Sequence, residues 1–291
     1  MPSTREIRRR IRSVKNTEQI TRAMEMVAAS RMRRAQAQAL AGRPYADKML
    51  ELLIDLAAQP LPSEDDSPHP LLQERPVENV ALILISADRG LAGGYNSHII
   101  QKAAAFILQQ SAPVGLVTVG RKGRDWMIRR GQRVLADFSG IGDRPTLLDV
   151  APLATYVVDG FTRGEFDEVH VFYTSFVSVT RQQPEDRLLL PVQHVAASGS
   201  VPKVGEYIYE PDPRTVLAAL LPRYVETEIY QCVLESVASE QSARMLAMHN
   251  ATQSARDVVE ELTLRYNKAR QAGITTELLE IAAGAEALTR G

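Results

Sequence analysis

Residues 3–43 form a proline-free run, STREIRRRIRSVKNTEQITRAMEMVAASRMRRAQAQALAGR. It opens with a capping box, in which the Ser3 side chain serves the N3 amide and Glu6 reaches back to the N-cap amide. Apolar side chains then recur at alternating spacings of four and three residues, at Ile7, Ile11, Val14, Ala28, Met32, Ala35, Ala39, Ala46, Met49, Leu53 and Leu56. The series is interrupted at Glu18, Thr21, Glu25 and Gly42. So narrow a seam is typical of a coiled coil, and it predicts a coiled-coil helix over residues 1–58.

A second long helical segment is predicted over residues 211–291. Asp212 can cap it, and Pro213 suits its first position. A short helix reaches Leu221, after which Pro222 either kinks the helix or begins the next one, because proline cannot donate a hydrogen bond in a helix interior. The proline-free remainder is long enough for about 100 Å of helix. Its apolar residues again form a narrow stripe, so we predict that the two long helices pack antiparallel on each other.

The sequence between these helices changes character twice. Residues 59–76 contain five prolines and the acidic run Glu64-Asp65-Asp66, which predicts a solvated linker. Residues 77–210 alternate β-rich runs with helical stretches, which predicts a small Rossmann-like parallel α/β domain. The predicted elements are strands Val80–Ile85, Val114–Val119, Gln132–Leu135 and Glu168–Tyr173, a helix over Thr146–Arg163, and an edge hairpin of Phe176–Thr180 with Arg187–Pro191. The fold class is therefore α/β, with an antiparallel coiled coil of the terminal helices.

Charge is distributed unevenly along the chain. The net charge is −1, but residues 1–43 carry 11 Lys/Arg and 3 Asp/Glu, so this arm has a charge of +8 and the remainder −9. A basic arm on an acidic body indicates an acidic partner. A nucleic acid is one candidate, although no aromatic side chain for base stacking precedes Tyr45. A second candidate is an acidic protein surface, and the physical chemistry of the arm alone does not separate the two.

The sharpest local motif runs from Ser86 to Asn96, SADRGLAGGYN, between a predicted strand and a predicted helix. Glycine-rich turns at this position bind phosphates in α/β folds. Its glycine spacing fits neither dinucleotide nor P-loop motifs and no lysine follows, so we favour a tight turn or a protein-contact loop. The five histidines lack metal-site spacing, and Cys232 sits on the apolar stripe as core filler. We therefore expect no catalytic site, metal or cofactor.

Four segments, in order, resemble the gamma subunit of bacterial F-type ATP synthases. They are Ile20–Met32 (ITRAMEMVAASRM), Asp88–Asn96 (DRGLAGGYN), Ser239–Met245 (SEQSARM) and Ile274–Ala285, which meets the family's C-terminal signature. The resemblance covers essentially the whole chain and is strongest at its two ends. It implies a non-catalytic rotor shaft inside a ring of alternating alpha and beta subunits, coupling proton flow to their conformational cycle.

The resemblance also implies contacts for particular residues. Those expected to face the beta subunits and carry torque are Met24, Arg31, Arg33, Arg34, Arg244, Gln271, Thr275 and Glu277, with Met24 level with Arg244. Those expected in a foot that grips the epsilon subunit and the membrane c-ring are Asp88, Arg89, Gly90, Gly93, Gly94, Tyr95 and Asn96. The implied location is peripheral, on the cytoplasmic face of the bacterial cell membrane, without membrane insertion and without nucleic acid. A phosphate-binding α/β protein and a basic nucleic-acid scaffold remain the alternatives.

Overall fold

The fold is taken from a computed structural model that describes residues 3–57, 69–192 and 209–289. The chain divides into two compact units, one formed by residues 1–27 with 245–291 and the other by residues 28–244. Two long helices, α1 (Thr4–Ala57) and α5 (Pro213–Thr289), contribute to both units. The division into four segments at residues 58, 76 and 210 stays a prediction.

In the first unit, α1 and α5 pair antiparallel, as predicted. Contacts that join them fall at decreasing α5 positions as α1 advances: Arg8 with Tyr266, Glu18 with Arg256, Thr21 with Thr252, and Glu25 with His249. The predicted capping box is confirmed at the start of α1, where the Ser3 amide donates to Glu6 Oε2 at 3.0 Å and the Glu6 amide to Ser3 Oγ at 3.3 Å.

The seam of this pair contains polar side chains where the apolar series is interrupted. Thr21 and Thr252 are buried, and their hydroxyl oxygens lie 2.7 Å apart. Each hydroxyl also lies within hydrogen-bond distance of a carbonyl oxygen of its own helix, Thr21 of Glu18 at 3.0 Å and Thr252 of Met248 at 2.8 Å. Each hydroxyl has one proton, so one of the two donates across the seam while the other donates to the carbonyl oxygen of its own helix. Both buried hydroxyls therefore have a partner, which favours one register of the helices.

The α5 helix begins as predicted and then continues through its internal proline. Asp212 Oδ1 accepts a hydrogen bond from the Thr215 amide at 3.0 Å, which caps the helix before Pro213. Pro222 lies inside one continuous helix, so the alternative in which it begins a new helix is wrong. The physical reason is tertiary: Leu221 and Val225 flank the proline and are fully buried, and this burial offsets the lost backbone hydrogen bond.

The second unit is built on a five-stranded sheet in the order β3-β2-β1-β4-β5. Its strands are β1 (Val80–Ile85), β2 (Val114–Val119), β3 (Val134–Asp137), β4 (Glu168–Phe176) and β5 (Gln182–Leu190), and its helices are α2 (Tyr95–Gln109), α3 (Arg121–Arg129) and α4 (Leu147–Thr162). Strands β1 to β4 are parallel, while β5 is antiparallel to β4 at the edge. The Rossmann-like parallel core with an added edge hairpin is therefore confirmed.

The boundaries of three strands differ from the prediction, and β5 begins at Gln182 although its strand was predicted only from Arg187. Strand β3 begins two residues later than expected, at Val134. The hairpin strand predicted over Phe176–Thr180 is wrong, because β4 continues to Phe176 and the chain then turns. Reciprocal backbone hydrogen bonds between Ser178 and Arg181, of 2.9 and 3.2 Å, close that turn. The β-branched residues Val177 and Val179 thus lie in a turn, where period-two patterning carries no information.

Helices cover both faces of the sheet, which explains why every residue of β1 is buried. One face packs on α2 and α3 through Leu82, Leu84, Ile99, Leu116, Met127 and Phe172. The other face forms one cluster with α4 and with the parts of α1 and α5 in this unit, including Leu53, Leu56, Val225, Ile229 and Val233. Cys232 is buried there as predicted, and burial raises the pKa of its thiol, so it is a poor nucleophile.

The predicted linker is only partly covered by the described residues, since 58–68 lie outside them. The remainder contains a 3-10 helix, Pro70–Leu72, whose Leu71 side chain is buried in the core. Its end is therefore docked on the second unit and not solvated. Within the described ranges, no helix is both long and apolar enough to cross a membrane.

Candidate subunit-contact site

The glycine-rich loop follows β1 at the carboxyl end of the sheet, where α/β folds bind phosphates. Its Asp88 carboxylate accepts two backbone hydrogen bonds, one from the Arg121 amide to Oδ1 and one from the Gly140 amide to Oδ2, each of 3.1 Å. Arg121 is the first residue of α3, so the carboxylate interacts favourably with the positive end of that helix. The protein's own side chain therefore occupies a position that a phosphate would need.

Two further side chains fix the base of the loop. Ser86 Oγ accepts from the Gly123 amide at 2.9 Å and donates to the Gly120 carbonyl oxygen at 3.0 Å. Asn96 Oδ1 accepts from the Ala87 amide at 2.9 Å. Gly120 has a φ of 92°, and a Cβ there would lie 2.0 Å from the Ser86 carbonyl oxygen, so this turn requires glycine. The base of the loop is thus rigid and internally satisfied.

The tip of the loop presents an apolar side chain to solvent. Leu91 has a φ of 63°, in the left-handed region that costs a non-glycine residue about 1–2 kcal/mol, and it is 64% exposed. Ala87 before it and Ala92 and Tyr95 after it are buried together, and burial raises the pKa of the Tyr95 phenol. A strained backbone conformation that holds a leucine side chain in solvent is typical of contact sites and not of stable cores.

The α5 helix contacts the loop through a buried charge pair. Arg244 Nη2 donates to the Gly90 carbonyl oxygen at 3.2 Å and to Glu240 Oε1 at 2.6 Å. Both side chains are at most 14% exposed. Burial raises the pKa of the Glu240 carboxyl, and the Arg244 guanidinium opposes that shift. Since Arg244 is committed to these internal partners, little of it is available to another subunit.

A second charge pair joins α1 to the loop between β3 and α4. Arg31 donates to Asp143 Oδ2, and Gln241 Nε2 of α5 donates to Asp143 Oδ1 at 3.0 Å. Neither Asp143 nor Glu240 was predicted from the sequence as a site residue. The only local signal for Asp143 is the pair Gly140 and Gly142, whose φ values of 91° and 81° make the preceding chain turn sharply.

The remaining expected contact residues lie on the surface. Arg33 and Arg34 are exposed on α1, as are Gln271, Thr275 and Glu277 on α5, while Met24 is half-buried. The Thr21–Thr252 and Glu25–His249 contacts place Met24 level with residues 249–252 of α5. The expected alignment of Met24 with Arg244 is therefore wrong by more than one helical turn.

A cleft of about 240 Å³ lies between the loop and α5. Its charged lining consists of Asp88, Arg89, Arg121, Asp143 and Glu240, and it includes no lysine. The three carboxylates outnumber the two arginines, and both oxygens of Asp88 already accept hydrogen bonds. A lining with this excess of negative charge is a poor site for a phosphate. Within the described ranges, no three His, Cys, Asp or Glu side chains are grouped so that they could hold a metal. The geometry thus favours contact with protein over small-molecule chemistry.

Comparison with known proteins gives the same picture over the whole length. The family model described as ATP synthase matches residues 3–288. The ATP synthase gamma chain of Dehalococcoides mccartyi is 50% identical over 288 residues, covering 99% of this chain and all of the relative. That of Roseiflexus castenholzii is 50% identical over 294 residues, covering 99% of each chain, and that of Chloroflexus aurantiacus is 48% identical over 293, covering 99% of this chain and all of the relative.

Solved structures agree with these sequence relatives. A chain from the Tetrahymena thermophila mitochondrial ATP synthase central stalk and c-ring superposes with a TM-score of 0.61 at 26% identity, covering 80% of this chain and 99% of its own. A Euglena gracilis mitochondrial ATP synthase chain shares the fold, with a TM-score of 0.68 at 17% identity, covering 98% of this chain and 94% of its own. The matches span the terminal helices and the α/β domain together, and the chain belongs to the ATP synthase gamma chain family.

Proposed function

We propose that this chain is the central rotor subunit of a bacterial ATP synthase and couples proton flow through the c-ring to the cycle of the catalytic alpha and beta subunits. The observation that carries the proposal is the first unit, where the described residues after Ser3 are all helical and consist of α1 and α5 alone. Two antiparallel helices without a covering layer make a shaft, and the chain itself supplies no catalytic group.

The far end of α5 supports insertion into a surrounding ring. Arg8, near the start of α1, contacts Tyr266, so α5 continues past the end of its partner helix. Residues 271–283 are all exposed, and they include Ile274, Leu278, Leu279 and Ile281, each at least 49% exposed. Such exposed apolar side chains mark a surface that a partner covers. We assign the partner to the alpha and beta subunits, with contacts at Gln271, Thr275 and Glu277.

The exposed arginines of α1 are the proposed torque contacts. Arg33 and Arg34 carry positive charge on the surface of a +8 arm, where acidic loops of the beta subunits are the expected partner. Met24, half-buried on the same helix, is proposed to contact the same subunits. Arg31 and Arg244 have a different role, because their guanidinium groups are held by Asp143 and Glu240.

The exposed tip of the glycine-rich loop is proposed as a further subunit contact. It comprises Arg89, Gly90, Leu91 and Gly93, while Asp88, Gly94, Tyr95 and Asn96 support it from within. The family resemblance assigns this loop to epsilon and the c-ring, and Arg244 to the beta subunits. Arg244 is itself buried, but its hydrogen bond to the Gly90 carbonyl oxygen joins the exposed loop tip to the segment of α5 that the resemblance assigns to the beta subunits, so we propose that the loop, and not Arg244, makes that contact. Epsilon and the c-ring then contact the opposite, amino end of the sheet.

Cysteine crosslinking tests this arrangement in the assembled complex. Leu91 is 64% exposed at the carboxyl end of the sheet, and Leu108, 85% exposed, lies at the end of α2 that leads back to the amino end. We expect Leu91→Cys to crosslink to a beta subunit and Leu108→Cys to epsilon or the c-ring. The native Cys232 is buried and does not compete. Crosslinks from Leu91→Cys to epsilon or c would restore the family assignment.

Purification of the tagged chain from membranes tests the function itself. We expect alpha, beta, epsilon and c subunits to copurify, at the cytoplasmic face of the cell membrane. Recovery of the chain alone, or with nucleic acid in a strongly salt-dependent complex, would contradict the rotor proposal. Titration of ATP into the isolated chain tests the phosphate-binding alternative, and a dissociation constant tighter than about 1 mM, abolished by Gly93→Val, would revive it.

A further inference from the structure

Asp143 is one point at which both long helices are hydrogen-bonded to the α/β domain. Its two carboxylate oxygens have separate partners: Oδ2 accepts from Arg31 of α1, and Oδ1 accepts from Gln241 of α5 at 3.0 Å. Arg31 and Asp143 are 112 residues apart in sequence, and Gln241 lies a further 98 residues on. A single carboxylate therefore links its own loop to α1 and to α5, and these three elements are far apart along the chain.

The loop that carries Asp143 is held on both sides of it. Before it, the Gly140 amide donates to Asp88 Oδ2 at 3.1 Å, which ties the loop to the neighbouring loop after β1. After it, the Pro145 carbonyl oxygen accepts from the Tyr230 hydroxyl of α5 at 3.3 Å. Because the Gly140 bond ties this loop to the loop after β1, a force on Arg31 or Gln241 is passed to the carboxyl end of the sheet, and the Tyr230 bond adds a second tie to α5.

The surrounding charges explain why an arginine stands at position 31. The Asp143 and Asp88 carboxylates both repel negative charge on the Glu240 carboxylate at this end of the sheet. Arg244 is already bonded to Glu240 and Gly90. Arg31 supplies a further positive charge from α1, while its neighbours Arg33 and Arg34 are exposed to solvent. Arg31 is therefore part of the internal structure, although in the sequence it resembles its neighbours.

We propose that Asp143 is a positioning residue that clamps α1 and α5 to the α/β domain, so that torque on the two helices turns the domain with them. The inference rests on the proposed rotor function and adds a residue to it. If the helices could move against the domain, part of each rotational step would deform the protein and would not turn the domain. The clamp limits this loss at the end of the domain where α5 contacts the glycine-rich loop.

The test is made on assembled complexes in inverted membrane vesicles. Three variants are compared with wild type: Asp143→Asn, Asp143→Arg, and the exchange Arg31→Asp with Asp143→Arg. Two states are compared: the closed clamp, in which Asp143 is bonded to the helices, and the open clamp, in which these bonds are broken. Loss of a partly exposed ion pair should lower the equilibrium ratio of closed to open molecules about fivefold. We expect Asp143→Asn and Asp143→Arg to lower proton pumping per ATP hydrolysed while hydrolysis itself persists. Asp125→Asn, at a similarly half-buried ion pair with Arg124 on α3, is the matched control and should pump as wild type.

The exchange variant separates clamping from general stability. It restores an opposite-charge pair, and Gln241 Oε1, which has no hydrogen-bond partner among the described residues, can accept from the new arginine. We expect the exchange to regain most of the coupling that Asp143→Arg loses, at low salt more than at high salt. Unchanged coupling in Asp143→Asn, or an exchange variant no better than Asp143→Arg in coupling or in assembly, would overturn the clamp. Failure of the wild-type chain to assemble or pump would instead overturn the proposed function.

Discussion

Replacing Arg33 and Arg34 by glutamate should weaken coupling without unfolding the chain. Both side chains are exposed, and Arg33 donates only a 3.4 Å hydrogen bond to the Ala29 carbonyl oxygen of its own helix. Exposed substitutions of this kind change the free energy of unfolding by about 0.5 kcal/mol each. The double variant should therefore lose at most about 1 kcal/mol and still assemble. What should fall is proton pumping per ATP hydrolysed, because the proposed contact with acidic beta-subunit loops would become repulsive.

Arg31→Glu should behave differently, although it is the same substitution two residues away. Its ion pair with Asp143 is a little over one-third exposed, which limits the pair to about 1 kcal/mol. The new carboxylate would add a repulsion of about 1 kcal/mol at 4 Å with the screening of water. A loss of about 2 kcal/mol lowers the melting temperature of a unit of this size by about 4–8 °C.

Thermal unfolding and vesicle acidification measure the two effects separately. Circular dichroism gives the melting temperatures of Arg33→Glu/Arg34→Glu and of Arg31→Glu. ATP-driven acidification of inverted vesicles, divided by the hydrolysis rate, gives coupling at low and high salt. We expect the double variant to show less coupling and a weaker salt dependence than wild type. Wild-type coupling in the double variant at low salt would mean that these charges are merely solvated, and a wild-type melting temperature for Arg31→Glu would refute the internal role of Arg31.

Three further changes test the fold. Thr21→Val should lower the free energy of unfolding by about 1 kcal/mol. Adding Thr252→Val should recover most of that loss, because two apolar isosteres leave no unpaired hydroxyl. Hydrogen exchange in α1 measures the stability of both variants, and losses that add up in the double variant would contradict the pairing. Gly120→Ala should destabilise by about 2–4 kcal/mol because of its φ and the contact with Ser86, and chemical denaturation would reject that turn geometry if the variant were as stable as wild type. Gly273→Ala, in an exposed part of α5 with open space around it, should stabilise by about 0.5–1 kcal/mol in the same assay, and a loss would indicate a close contact there.

Short-range signals predicted the elements well. The capping box at Ser3 and the cap at Asp212 depend on residues three apart, and both are present. Strands β1 and β2 have the predicted bounds, because continuous β-branched runs between turns are typical of buried parallel strands. The coiled-coil seam was likewise predictable from spacing, except that its polar interruption at Thr21 is a buried hydrogen-bonded pair, which requires knowledge of the opposite helix.

Long-range contacts explain what the sequence could not show. Arg31 lies in the same arginine-rich run as Arg33 and Arg34, and only a carboxylate 112 residues away distinguishes it. Glu240 is one of many helical glutamates, and its burial depends on the packing of α5 against the glycine-rich loop. Pro222 signals a helix end locally, but burial of its neighbours in the core keeps the helix continuous. In each case tertiary packing outweighs the local preference.

Direct observation of rotation tests the central claim. The chain carrying Leu108→Cys is assembled with alpha and beta subunits held on a surface, and a bead is attached through the new thiol, which lies on the exposed end of α2. During ATP hydrolysis a rotor turns the bead continuously in one direction, and Asp143→Arg should make the bead lag or slip. Hydrolysis at an undiminished rate with a stationary bead would contradict the proposal that this chain is the rotating shaft.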